Sequence, residues 1–123
     1  MLSEFDIQNQ SVKWSDETYR IFGIEIGTPI TLQTYQTLIP EESYTRVMTN
    51  VQKTVEIGKP YEVEHPIILS NGIRKELYAV GDPVFNDEGQ VTKIFGIVQD
   101  ITQRKRADQI QSVLLNLSKV RHE

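Results

Sequence analysis

Apolar residues recur with two different periods along the middle of the chain. Between residues 44 and 55 they return every three or four positions, which is the spacing of one apolar face of an α-helix. Pro40 suits the start of this helix and Gly58 suits its end. From residue 61 to residue 69 the period changes to two, which is typical of a strand with one buried face. The sequence therefore predicts a long helix followed by a strand.

Two turn signals divide the next part of the chain. Asn71 and Gly72 form a strong two-residue hairpin signal, and Asn-Asp-Glu-Gly at residues 86–89 marks a second turn. The segments beside these turns, 73–85 and 91–99, are predicted to be long strands. Together with the strand before them they form an antiparallel meander.

Shorter elements are predicted in the first third of the chain. Residues 2–7 and 12–14 are expected to form two strands around a polar turn. Ser15 can cap a helix that ends at Gly23, and residues 31–39 form a second short helical segment. The predicted fold class is α+β, with two strands, three helices and then three strands.

The pattern becomes helical again from residue 103. Ile110, Val113, Leu117 and Val120 are separated by three, four and three positions, which matches a coiled-coil seam for less than two heptads. A helix with so narrow an apolar face favours a partner helix. The alternative is that this helix folds back onto the sheet.

Composition restricts the classes of protein and partner. The 123 residues suggest one domain, and the net charge of −4 argues against nucleic acid or an anionic membrane as a partner. The acidic start of the chain lacks the features of a signal peptide, and no apolar run is long enough to span a membrane. We therefore expect a cytoplasmic domain without membrane contact.

Several motifs resemble those of the PAS family of sensor domains. Ile-Pro-Glu-Glu at residues 39–42 resembles the family's His-Pro-Glu-Asp helix opening, and Gly-Asp-Pro-Val at 81–84 resembles its Gly-x-Pro-Val strand end. Residues 96–105, Gly-Ile-Val-Gln-Asp-Ile-Thr-Gln-Arg-Lys, resemble the strand-to-helix junction of bacterial and archaeal sensor proteins such as sensor histidine kinases. The resemblance covers about residues 2–106. It implies a five-stranded antiparallel sheet, helices on its concave face and a C-terminal output helix.

The resemblance also implies a small pocket between helices and sheet. The small residues Ala79 and Gly96 leave space that a ligand could use, although the dense packing of protein interiors favours a filled core. The candidate pocket residues are Phe22, Met48, Val51, Val55, Val63, His65, Ile67, Leu77, Ala79, Ile94, Gly96 and Val98.

The family's cofactors are restricted by the residues that this chain lacks. Without cysteine, the chain can form neither a flavin–thiol adduct nor a thioester to a chromophore. Val98 stands where the flavin-binding relatives place a glutamine. Haem-binding relatives commonly use a histidine on the long helix, and residues 41–57 contain none, so haem is disfavoured. We also expect no metal site. His65 could contact a polar ligand or haem, or it could simply be hydrogen-bonded within the sheet. Pro66 beside it predicts a bulge or a sheet edge.

The outer face of the sheet is predicted to be apolar too. Phe95 and Ile97 would point away from the helices, where a solvated sheet normally presents polar residues. An exposed apolar patch usually marks a contact surface, so we expect a second protomer or a flanking helix there. The candidate dimer-face residues are Tyr78, Val80, Phe95, Ile97, Ile110, Val113 and Leu117.

The functional expectation is a sensory and dimerisation module. Residues 1–102 would form the sensor domain and residues 103–123 the start of a signalling helix to an output domain, such as a histidine kinase or nucleotide cyclase. The candidate relay residues are Asp100, Thr102, Arg104 and Lys105, with Asp100 pairing with one of the two basic residues. One alternative is a ligand-free structural scaffold. Another is a small α+β enzyme, although no nucleophile–base arrangement is found in the sequence.

Overall fold

The computed structural model describes the backbone of residues 2–121 and the side chains of residues 3–116. Leu117, one of the predicted dimer-face residues, and Val120 of the predicted coiled-coil seam have their side chains outside this range, and residues 122–123 of the predicted signalling helix lie outside it entirely. The elements in chain order are β1 (Leu2–Asp6), β2 (Ser11–Trp14), α1 (Asp16–Phe22), α2 (Leu32–Leu38), α3 (Glu41–Ile57), β3 (Tyr61–Ile68), β4 (Arg74–Phe85), β5 (Val91–Asp100) and α4 (Thr102–Arg121).

The five strands form one antiparallel sheet in the order β2-β1-β5-β4-β3. This confirms the predicted fold class and the meander of the last three strands. β3 is an edge strand, paired with β4 alone, and its register is continuous through Pro66. Of the two expectations for this proline, the edge position is the one observed, since an edge strand tolerates a missing N–H.

Local signals fix the helix ends. The Ser15 hydroxyl accepts a hydrogen bond from the backbone N–H of Thr18 and so caps α1. Gly23 and Gly58 follow α1 and α3 with φ angles of 68° and 74°, in the left-handed region where a side chain would be strained. α2 begins at a reciprocal cap between Thr31 and Thr34.

The core lies between the concave face of the sheet and helices α1–α3. Phe22, Ile67 and Leu77 are almost completely buried, and the ring of Trp14 stacks on Phe22 at a centroid distance of 4.5 Å. Alternate residues of β4 and β5 are buried, as strand geometry requires.

Helix α4 follows β5 directly and leaves the sheet. Ile101 is buried at the junction, whereas Ile110 and Val113 are 61% and 56% exposed. The described part of α4 therefore projects from the domain and does not fold back onto the sheet. Within residues 2–121, no helix combines the length and apolar character that crossing a membrane would require.

Candidate functional site

A cavity of about 80 Å³ lies between the concave face of the sheet and helices α2 and α3. It is partly open to solvent. Its walls come from six elements that are distant in sequence. They are formed by Ser3, Glu4, Phe5, Val12, Trp14, Leu32, Tyr35, Val47, Met48, Val51, Tyr61, Ile94 and Gly96.

Two opposed glycines leave the sheet surface bare beside this cavity. Gly81 of β4 pairs directly with Gly96 of β5. A Cβ atom at Gly81 would collide with the ring of Tyr61, and one at Gly96 would lie 2.5 Å from the hydroxyl oxygen of Ser3. Because both residues lack a side chain, Tyr61 of β3 can lie against Gly81 and Ser3 of β1 can lie against Gly96.

Two tyrosines, Tyr35 and Tyr61, contribute to the cavity wall. Neither Tyr35 nor Tyr61 has a hydrogen-bond partner for its hydroxyl among the described residues. Burial raises the pKa of Tyr61 to about 12. Burial also raises the pKa of Tyr35, with smaller contributions from the nearby hydroxyls of Tyr61 and Tyr44. Both groups are therefore neutral donors at physiological pH.

Four of the twelve predicted pocket residues line this cavity: Met48, Val51, Ile94 and Gly96. Six others are buried in the core beyond its wall, namely Phe22, His65, Ile67, Leu77, Ala79 and Val98. The last two, Val55 and Val63, are half-buried and also outside the wall. A ligand contact remains a prediction for all twelve.

The aromatic part of the wall was not predicted from the sequence. Trp14, Tyr35 and Tyr61 come from β2, α2 and β3, and no local pattern links these three positions. The hairpin turn did not supply the missing link. A two-residue turn at residues 71–72 would have placed Tyr61 opposite Asp82, whereas the observed register pairs Tyr61 with Gly81.

His65 is 1% exposed and lies outside the cavity wall. Its Nδ1 is 3.1 Å from the carbonyl oxygen of Pro66, while its Nε2 is buried without a hydrogen-bond partner among the described residues. Desolvation lowers the pKa of His65. The Pro66 carbonyl opposes this shift, Arg46 reinforces it and Glu76 opposes it. The described residues contain no cluster of metal-ligating side chains.

The junction between β5 and α4 is a compact hydrogen-bond network. Asp100 accepts hydrogen bonds from the backbone N–H and the hydroxyl of Thr102, at 3.0 and 2.5 Å. The Thr102 hydroxyl oxygen in turn accepts from the backbone N–H of Glu76 on β4, at 3.0 Å. The backbone N–H of Ile101 donates to the carbonyl of Glu76 at 2.9 Å. The start of α4 is thus attached to β4 by two hydrogen bonds, one to the backbone N–H and one to the carbonyl of Glu76.

A second link joins α4 to the edge strand. Lys105 forms an ion pair with Glu64 of β3 at 2.6 Å, which lowers the pKa of the Glu64 carboxyl and raises that of Lys105. Arg46 of α3 donates to the backbone carbonyl of the same Glu64 at 2.5 Å. The partner of Lys105 is therefore Glu64, where the sequence suggested Asp100, because the carboxylate of Asp100 faces Thr102.

The outer face of the sheet carries the predicted apolar residues. Phe95 and Ile97 are 39% and 51% exposed, and Val80 and Tyr78 beside them are half-buried. The Tyr78 hydroxyl donates to Glu62 at 2.6 Å. Ile110 and Val113 on α4 are also exposed.

The sheet, the cavity against its concave face and the helix after its last strand together define a class of sensory α+β domains. The sequence pattern of the PAS fold matches residues 11–98. The chain belongs to the PAS family, as its motifs predicted.

Similar proteins include signalling enzymes. A blue-light-activated histidine kinase of Brucella melitensis is 30% identical over 94 residues, which are 76% of this chain and 18% of that kinase. The chain therefore spans less than a fifth of this curated relative. A sensory box histidine kinase/response regulator from Burkholderia thailandensis superposes with a TM-score of 0.76 at 20% identity, covering 99% of this chain and 90% of that one. The N-terminal domain of a diguanylate cyclase from Marinobacter aquaeolei gives a TM-score of 0.76 at 18% identity, covering 85% and 96%. These two structures share the fold.

The residues present do not fit a flavin that forms a cysteine adduct, and the described cavity wall holds no histidine that could ligate a haem. Pockets for cofactors and drug-sized ligands typically enclose about 300–1,000 Å³, whereas this cavity encloses about 80 Å³. Val98, at the position of the flavin-contacting glutamine, is buried in the core. The chain has no cysteine for an adduct, and the free nitrogen of His65 is sealed within the core.

Proposed function

We propose that this chain is the sensory and dimerisation module of a larger signalling protein. Residues 1–102 form the sensor, and residues 103–123 begin the helix that leads to an output domain, a histidine kinase or a nucleotide cyclase. The observation that carries this proposal is the Thr102 hydroxyl. It bonds to Asp100 at the end of β5 and to the backbone of β4, in the first turn of an otherwise exposed helix.

The relay would connect the cavity to α4 by two routes. Ile94 and Gly96 line the cavity on β5, and that same strand ends in the Asp100–Thr102 junction. Met48 and Val51 line it on α3, whose Arg46 holds the carbonyl of Glu64. A ligand that moves β5 or α3 would change the contacts that hold the first turn of α4, as in other two-state joints.

Thr102→Val tests the relay because valine keeps the shape of threonine and removes the bridging hydroxyl. In the full-length parent protein we expect kinase or cyclase activity to change by about five-fold or more, a usual size for coupling between sites. Asp100→Ala should act in the same direction. Thr92→Val is the matched control, since Thr92 lies on β5 far from the junction. Unchanged activity in both junction variants, with normal thermal stability, would contradict the proposed relay.

The dimer is part of the same proposal. The exposed residues Phe95 and Ile97 offer an apolar surface on the outer face of the sheet, and Ile110 and Val113 offer one on α4. Two copies that pair through both surfaces would bring their output helices together. We propose no nucleic-acid partner and no catalytic role for the described residues.

A ligand-free scaffold is the second candidate function. It is favoured by the tight packing of Phe22, Ile67 and Leu77, which leaves a small cavity. Native mass spectrometry of freshly purified protein distinguishes the two functions. A co-purified small molecule supports the sensor, whereas an empty dimer whose parent protein responds to no added compound supports the scaffold.

A further inference from the structure

The cavity itself indicates what kind of molecule would occupy it, and this inference rests on the sensor function proposed above. We propose that the cavity binds an uncharged molecule no larger than a single substituted aromatic ring, which presents a hydrogen-bond acceptor to the hydroxyls of Tyr35 and Tyr61.

The volume sets the size. Apolar cavities of roughly 150 Å³ hold a benzene molecule, and this cavity of about 80 Å³ is smaller but partly open on one side. Met48 in its wall is unbranched and can change rotamer at low cost to enlarge it. One ring is therefore the upper limit, and the three fused rings of a flavin exceed it.

The walls set the shape and the charge. Trp14, Phe5, Tyr35 and Tyr61 provide aromatic surface, which favours a flat ring in stacked or edge-to-face contact. Glu4 contributes the only ionisable carboxyl of the described wall, and it pairs with Lys93 at 3.4 Å. Glu4 and Phe95 are register partners whose neighbours Ser3 and Gly96 face the helices, so this carboxyl belongs to the outer face. A charged ligand would lose its hydration here without gaining a counter-ion.

The hydroxyls set the polarity. Those of Tyr35 and Tyr61 have no partner among the described residues, and Tyr61 is near enough to contribute to the raised pKa of Tyr35. An acceptor placed between the two hydroxyls would give each of them a hydrogen-bond partner and so offset the cost of its own desolvation. The ring of Tyr61 is also held in place, since it lies directly against Gly81.

Acetophenone is a suitable probe because it is one neutral ring with one carbonyl acceptor. Titration of the 123-residue chain, followed by NMR, should shift the amide of Gly96 and the indole N–H of Trp14, the single tryptophan, in a saturable way. Ethylbenzene, which lacks the acceptor, should bind more weakly. Benzoate, which is charged, and riboflavin, which is too large, should give no saturable shift.

Tyrosine variants test the role of the hydroxyls. Tyr35→Phe combined with Tyr61→Phe should weaken acetophenone binding about ten-fold, the loss of two ordinary hydrogen bonds, and leave ethylbenzene binding unchanged. Tyr78→Phe is the matched control, since its hydroxyl lies on the outer face. Thermal melting checks that each variant folds, and the two single variants serve if the double variant does not.

Three results would overturn the assignment: no saturable shift with acetophenone, tighter binding of benzoate or riboflavin, or unaltered acetophenone binding in folded tyrosine variants. Such a result leaves the relay standing if Thr102→Val still changes output. Conversely, selective acetophenone binding with no effect of Thr102→Val would support the ligand class and reject the relay.

Discussion

The side chain of His65 lies in the core, with one nitrogen near the Pro66 carbonyl and the other without a partner. Its neighbours include the ring of Tyr35, the guanidinium of Arg46 and the carboxylate of Glu76. The pKa of this histidine is lowered, mainly because charging the ring inside the core is costly. Protonation therefore opposes folding.

We expect stability to fall as the pH falls below the ordinary histidine pKa of 6.5. Between 6.5 and the lowered native value, the unfolded chain binds a proton at residue 65 and the folded chain does not. Over that window the free energy of unfolding should decrease by at most about 1.4 kcal/mol per pH unit. Above pH 6.5 His65 is neutral in both the folded and the unfolded chain, so the stability that is lost at lower pH is fully present there.

His65→Leu should remove this pH dependence between pH 6.5 and 5, because leucine does not titrate. Urea unfolding at a series of pH values measures the effect. His122→Gln measures separately any contribution of the other histidine of the sequence. An equal slope in wild type and His65→Leu would show that residue 65 is not its source.

At the scale of single elements, α4 differs from the other helices. α3 packs against the sheet over its length, whereas α4 is attached at its first turn through Thr102 and Lys105 and is exposed beyond it. In most protein helices the stability comes mainly from packing of an apolar face against the rest of the fold, and the exposed part of α4 has no such packing within the described residues. Its persistence thus depends on the junction and on a partner.

Hydrogen exchange should resolve these two parts of α4. In dilute, monomeric protein, the amides of residues 107–116 should exchange at least about ten-fold faster than those in the middle of α3, since few contacts oppose local opening. Glu64→Gln should speed exchange in the first turn of α4 only. The pair is exposed, so its effect should correspond to less than about 1 kcal/mol.

Glu62→Gln is the matched control, because Glu62 lies on the same strand and bonds to Tyr78. Protection in residues 107–116 equal to that of α3 in a proven monomer would contradict this picture of α4.

At the scale of the whole molecule, the apolar surface is divided between two sides. The concave side is closed by helices, whereas the outer side exposes Phe95 and Ile97 in the middle of the sheet. Polar pairs border this patch, including Glu4 with Lys93 and Glu62 with Tyr78. An apolar centre with a polar rim is the usual anatomy of a protein interface.

Ile97→Glu should weaken the proposed dimer, because it places a charge where a second protomer would exclude water. We expect the dissociation constant, measured by sedimentation, to rise at least ten-fold, which corresponds to about 1.4 kcal/mol. Ile57→Glu is the matched control, as Ile57 is 63% exposed at the end of α3, away from both proposed surfaces. The proposed interface is wrong if the two variants dimerise equally.

Local sequence signals were sufficient to predict the elements and the faces of the strands. Ser15, Gly23 and Gly58 fix helix ends through their own backbone and side-chain preferences, and alternation in β4 and β5 sorts Leu77 and Val98 inward and Ile97 outward. These features depend on neighbours a few residues away. Motifs at residues 39–42, 81–84 and 96–105 were enough to indicate the family that residues 11–98 match.

The contacts between residues distant in sequence became known from the folded structure. Trp14, Tyr35 and Tyr61 share a cavity because strand order and helix packing bring β2, α2 and β3 together. In the same way Lys105 pairs with Glu64 of the edge strand, whereas the sequence suggested Asp100, which is nearer along the chain. Periodicity reports the face on which a residue lies. Its partner across the core depends on sheet order, register and the direction in which each helix crosses.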